Sequence, residues 1–212
     1  MSVPPASLFD SIFVGHTLEM AVLNTLEKWM PTYIQEIERQ LNLTLGLFPP
    51  PRVYSTTNTW HSLPDERLPM CIALSTGTVT RPRYEGDGTI SAWWGIGVGV
   101  AASANTEENT NLAAKIYGAA VRAILLQQPT LGGMTAGTEW IDESYTEVPV
   151  PEDERRTIRA AQVIFQVLVD DVVTRFSGPT TPIEPTDPLG QPGADWPEAE
   201  TVEVEVRLLP ND

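Results

Sequence analysis

Few side chains in this chain are equipped for chemistry. The histidines are His16 and His61, and the single cysteine is Cys71. His16 precedes Glu19 by three residues, but a zinc helix needs a second histidine one turn along, so the pair does not complete a metal site. A solvated or capping histidine is what the pattern supports. A Ser-His-Asp relay would need His16 or His61 held by an acid beside an activated serine, and no G-x-S-x-G elbow occurs. Asp142, Glu143, Asp170 and Asp171 could form a carboxylate pair or a magnesium site. Asp170 and Asp171 are adjacent on an extended segment and face opposite ways, so a solvated strand end is the expectation. Cys71 lies in the apolar run Met70 to Leu74 and reads as a buried, inert thiol. One cysteine excludes an intramolecular disulfide and a cysteine-based zinc site. Gly95 and Gly97 begin a dinucleotide-like pattern, but Val100 stands where its last glycine belongs, and the glycines lie inside an apolar run rather than in a turn. The residues therefore predict no catalytic site, no cofactor and no metal.

The elements that must position everything else centre on Thr89 to Gln128. Residues 89–102 alternate, with Trp94, Ile96, Val98 and Val100 on one face of a strand and Gly95, Gly97 and Gly99 on the other. Glycine weakens a strand, so the bare face predicts a close neighbour, either a helix of this chain or another subunit. A helix follows, with Asn105 or Thr106 as N-cap and Asn105 to Glu108 at capping-box spacing. Leu112, Ile116, Ala120 and Ile124 give it one apolar face, and Pro129 with Gly132 and Gly133 end it.

The 212 residues suit one domain plus a tail. The net charge of −15 argues against a nucleic-acid-binding surface, because an acidic surface repels phosphate. No segment reaches membrane-spanning length and no secretory leader pattern opens the sequence, which predicts folding in the cytosol.

Residues 17–41 are helical by period, with Pro31 expected to kink the helix or restart it. Pro49 to Pro51 force an extended connection. A plausible edge segment at 52–59, a loop at 61–69 and a buried strand at 70–75 follow. Residues 76–88 read as one arm of a hairpin turning near Glu85-Gly86-Asp87-Gly88. Arg81 and Arg83 stand out there in an acidic chain. They suggest either solvated surface or contact with an acidic partner. Residues 138–148 alternate loosely, Trp140, Ser144 and Thr146 against Ile141, Tyr145 and Val148. Residues 157–171 form a strong strand, and the short connection makes the two an antiparallel pair. Residues 1–176 form the domain, and composition changes at Ser177. Residues 177–212 hold seven prolines, eight acids and one base, an extended acidic tail carrying −7 of the charge. Within it, Val202, Val204 and Val206 alternate with charged residues over 201–209 and predict a strand that docks on a sheet edge. The fold class is α+β: a small, mostly antiparallel sheet packed against two helices in the order α-β-β-α-β-β.

Particular stretches carry a family resemblance. They are Leu26 to Tyr33, Pro50-Pro51-Arg52, Gly86 to Thr89 running into the aromatic strand, Ala119 to Leu125 with Gly132-Gly133, Trp140 to Tyr145, and Val167 to Val172. In this order they resemble the tail terminator, or tail completion, proteins of long-tailed bacteriophages of actinobacterial hosts, over about residues 8–176. The resemblance implies a virion protein made in the host cytoplasm. It would form a ring, usually of six subunits, that caps the tail tube and joins it to the head connector or stopper. DNA would pass through its bore without specific binding. On that reading Arg81 and Arg83, with Glu85 and Asp87 beside them, would contact the last tube ring. The strand carrying Val202, Val204 and Val206 would link to a neighbour or a collar protein. Another neck component, a stopper or adaptor, is the alternative within this class. A small acidic enzyme or ligand-binding domain is the alternative outside it.

Overall fold

A computed structural model describes residues 14–57, 67–78, 82–84, 90–149 and 157–170. The fold is α+β. Helix α1 (Val14–Gln40) leads through β1 (Val53–Ser55), β2 (Met70–Thr78), β3 (Arg83–Tyr84) and β4 (Ile90–Ala102) to helix α2 (Glu107–Gln127), then β5 (Gly137–Val148) and β6 (Ile158–Val169). The sheet order is β1-β2-β4-β6-β5, with β3 on β4. β1 runs parallel to β2, and every other pairing is antiparallel.

β4 is the central strand because both its flanks are used. β2 lies along one side, with Cys71 opposite Val100 and Leu74 opposite Gly97. β6 runs along the other from Ala92–Val169 to Ala102–Arg159. Its bulky face meets the helices: Ile96, Val98 and Val100 are fully buried with Val163 and Phe165 of β6 and Cys71 and Ala73 of β2. Leu18, Val22, Leu26, Met30 and Ile34 recur every four residues along α1 and close one side of this core. Ala113, Ile116, Tyr117, Ala120, Val121 and Ile124 of α2 close the other. Tyr33 donates to Gln127 Oε1 at 2.5 Å and bridges the two helices.

Several expectations need correction. α1 is not restarted at Pro31; the helix runs through it. One backbone donor is lost, but Met30 and Ile34 are buried on either side of it and hold the helix in place. Of the two N-cap candidates for α2, Thr106 is the one used: its Oγ1 accepts the Asn109 N–H at 3.1 Å. The glycine face of β4 does not receive a helix, since both helices lie on the opposite face. Over Gly95 sits the Thr76 side chain, whose Oγ1 would lie 2.1 Å from an added Cβ. Over Gly97 the nearest atom is the Leu74 carbonyl oxygen, at 3.9 Å. Beside these glycines a second, smaller cluster holds Met70, Ile72, Ala101, Val148, Ile158 and Ala160.

The close helix–sheet approach falls on a different glycine. A Cβ on Gly118 would lie 2.9 Å from Glu143 Oε1, 3.2 Å from Ala161 Cβ and 3.3 Å from the Tyr145 ring. Gly118→Val should destabilise the fold by about 2 kcal/mol through overpacking, more than its gain in helix propensity returns. Urea unfolding checks this; a variant as stable as the parent would show that α2 can move off the sheet.

Candidate functional site

Several of the residues able to do chemistry serve the fold as structural fastenings. Glu19 Oε1 accepts the Ser75 N–H at 2.6 Å, and its other oxygen lies 3.6 Å from His16 Nδ1. That bond has a purpose in the sheet. β1 covers only Met70–Ile72 of the outer side of β2, and beyond it Glu19 satisfies a donor that no strand reaches. His61 lies outside the described residues. Cys71 is fully buried, and burial pushes its thiol well above the ordinary range, so it is no nucleophile. Asp170 is exposed just past β6, and Asp171 lies outside the described residues. Among the described residues no group of three or more His, Cys, Asp or Glu could hold a metal ion, and no helix is long and apolar enough to cross a membrane.

Glu38 carries no sequence signal of importance, yet its side chain is fully buried at the end of α1. It accepts the Gly46 N–H at 2.7 Å and the Phe48 N–H at 2.8 Å. This folds residues 41–48 back on the helix and seats Phe48 in the core. The connection continues to Pro49, whose carbonyl accepts the Tyr117 hydroxyl at 2.6 Å. A cleft of about 490 Å³ lies alongside, lined by Phe48, Arg52, Pro69, Asn105 and Asn109 among others. A second groove, of about 370 Å³, has Gly97 and Gly99 in its floor and Ile72, Leu74, Val148 and Ala160 around them.

The margin formed by β5 holds a cluster of polar contacts. The strand bulges between Trp140 and Asp142, and this puts Trp140, Glu143 and Tyr145 on the helix side. The expected alternation, with Trp140 beside Ser144 and Thr146, is thereby corrected: Ile141 is the extra residue. Glu143 is not a solvated strand end either. Its side chain is 6% exposed, paired with Arg122 and hydrogen-bonded by the Tyr145 hydroxyl. Arg122 also lies over the Trp140 ring, 5.1 Å from its centroid. Further along, Arg159 lies 3.4 Å from Glu147 and 3.8 Å from Glu107. Asp142 is exposed, as expected.

Burial pushes the Tyr145 hydroxyl from an ordinary 10.0 up to about 12, helped by the bond to Glu143 and that carboxylate's charge, with Arg122 pulling the other way. The unfolded chain therefore gives up this proton first. The contribution is intact below pH 10 and is lost as the pH rises towards 12. Tyr54, Tyr117 and Cys71, all raised chiefly by burial, steepen the same alkaline loss. Tyr145→Phe should flatten part of the fall in unfolding free energy across that window, and an unchanged slope would contradict the assignment.

Of the residues singled out for partner contact, Arg83 lies on β3, opposite Ser91, and is exposed. Arg81, Glu85 and Asp87 lie outside the described residues, as do Val202, Val204 and Val206. The exposure of Trp140, Ile141 and Tyr145 on β5 has no signal in the sequence. The bulge that brings them out leaves no compositional trace.

No family model matches this chain, and no curated protein does. Among solved structures it is similar to a chain in the virion of a native gene transfer agent particle. The identity is 16%, the TM-score is 0.35, and the match covers 56% of this chain and 78% of that one. A likeness that loose carries no argument about role.

Proposed function

We propose that this is a structural virion protein that forms a ring, a hexamer, at the neck of a tailed bacteriophage. The ring caps the tail tube, ends its polymerisation and joins it to the head connector or stopper. It leaves an acidic bore through which DNA passes without being held. The domain of residues 1–176 builds the ring body, and residues 177–212 are an extension whose 201–209 segment docks on a neighbouring or collar protein. Arg81 and Arg83 meet an acidic protein surface of the assembly. The protein acts without cofactor and catalyses no reaction.

The observation that carries this reading is the surface the fold leaves unfinished. β5 is a twelve-residue strand at the sheet margin, with Trp140 46% exposed, Ile141 50% and Tyr145 41%. The opposite margin is made of strands of three and two residues. Of the residues that could do chemistry, Glu143 is tied up with Arg122 and Tyr145, and Cys71 is buried. Two different margins on one body suit head-to-tail contacts that close into a ring. The resemblance over residues 8–176 supplies the class of assembly. Light scattering after size exclusion tests the reading: the full chain should elute as a closed assembly of several subunits. A monomer that binds a small molecule in the glycine-floored groove would overturn it in favour of a ligand-binding domain.

A further inference from the structure

We infer that the glycine-floored groove on the helix-free face of the sheet receives residues 201–209 of a neighbouring copy, with the valines of that segment packed across the strands. This rests on the ring reading above and names the surface on which the segment docks.

The groove is shaped for an extended chain. Gly97 and Gly99 of β4 form its floor, and a Cβ added at Gly97 would meet nothing nearer than the Leu74 carbonyl oxygen at 3.9 Å. Glycine inside a strand marks a place where another backbone can come close. Ile72 and Leu74 of β2 wall one side, and Val148 of β5 with Ala160 of β6 wall the other. Thr146 and Gln162 also line it and offer a hydroxyl and an amide to the peptide groups of an incoming chain. Glu147 is the one ionisable residue in the lining, and Arg159 lies 3.4 Å from its carboxylate.

Val202, Val204 and Val206 fit this trough in spacing and character. In an extended chain they span about 13 Å, and the three strand intervals from β2 to β5 measure about 14 Å. Laid across the strands, the valines face the sheet while Glu203, Glu205 and Arg207 face solvent. The sheet edges suit the segment less. Glu19 already holds the Ser75 N–H on the outer side of β2. On β5 the exposed Glu139 and Asp142 would meet Glu203 and Glu205. Length selects the neighbour over the chain's own groove. Gln162 pairs with Gly99, and β6 ends at Val169, so the groove lies roughly 23 Å back along the strand. Residues 177–200 hold six prolines, five acids and no base. A spacer of that composition is stiff and self-repelling, and at about 3.1 Å per residue it spans up to roughly 75 Å. It would carry 201–209 past its own groove to the next subunit.

Variants of the full-length chain test this. Gly97→Leu fills the groove, and Gln162→Trp, at an exposed position, is a second way to fill it. Val202→Ser with Val204→Ser and Val206→Ser strips the segment and leaves the domain untouched. Each should raise the dissociation constant for assembly at least about tenfold by native mass spectrometry. Circular dichroism confirms that each is folded. A groove-filled chain and the valine variant, mixed where neither assembles alone, should form mixed pairs, because the intact groove of one accepts the intact segment of the other. Mixing that restores nothing would put the segment in its own subunit and overturn the proposal. Folded groove variants, or a valine variant, that assemble like wild type would overturn it too. If Leu8→Ser with Phe9→Ser matches Gly97→Leu while the valine variant is silent, the groove belongs to the N-terminal stretch instead. All of these results leave the ring standing. A wild-type chain that is monomeric at every concentration would overturn the ring itself, and this contact with it.

Discussion

Glu38→Ala is expected to destabilise the protein by about 3 kcal/mol, because it leaves two amide donors without an acceptor. The donors are Gly46 N–H and Phe48 N–H, bonded to the two carboxylate oxygens at 2.7 and 2.8 Å. Phe48 is only 4% exposed, so water is a poor substitute at its amide. Bonds to an ionised acceptor are the stronger kind, which raises the loss above that of a neutral pair. Glu38→Gln keeps one acceptor oxygen but turns an amino group towards the second donor, and it should recover roughly half of the loss. Hydrogen exchange adds a local readout. The Gly46 and Phe48 amides should be protected in the parent and lose that protection in Glu38→Ala. A stability change under about 0.5 kcal/mol would mean that the 41–48 turn holds without this carboxylate.

Arg122→Ala comes next in size, at about 3 kcal/mol. Removing the guanidinium strands a carboxylate whose side chain is 6% exposed, with the Tyr145 hydroxyl as its remaining donor. It also removes the cation over Trp140. Arg122 itself is 35% exposed, which keeps the loss below that of a fully buried pair. For a chain of this length the change corresponds to a fall in Tm of roughly 6–12 °C. Arg122→Lys keeps the charge but not the flat fork that serves both the ring and the carboxylate, so it should fall between the two. If Arg122→Ala melts within a degree or two of the parent, Glu143 has found another partner and the β5 cluster is not as described.

Strong periodicity made parts of this fold legible beforehand. β4 and β6 announce themselves by alternating apolar residues, and α2 by its four-residue repeat. The antiparallel pairing of β5 with β6 followed from a short connection. What escaped was set by contacts distant in sequence or by geometry without composition. Glu38 looks like any acid near a helix end until residues 41–48 fold back onto it. Arg122 and Glu143 are 21 positions apart, so no local spacing could join them. The bulge at Ile141 inserts one residue and reverses which side chains face the helix. The glycine face of β4 predicted a close neighbour along its length, but only Gly95 has one, a threonine of the adjacent strand, and Gly97 and Gly99 floor an open groove. Pro31 ought to break a helix on propensity, and burial of its neighbours overrides that. The candidate partner surface was legible only in part: Arg83 stood out by charge, whereas the aromatic margin of β5 depends on knowing that the strand is last in the sheet.

The central claim concerns place as much as shape. Cryo-electron microscopy of intact particles carrying this chain tests it most directly. The account predicts density for a closed ring of copies between the last tube ring and the head connector. Particles in which the junction of head and tail contains none of this protein would contradict it.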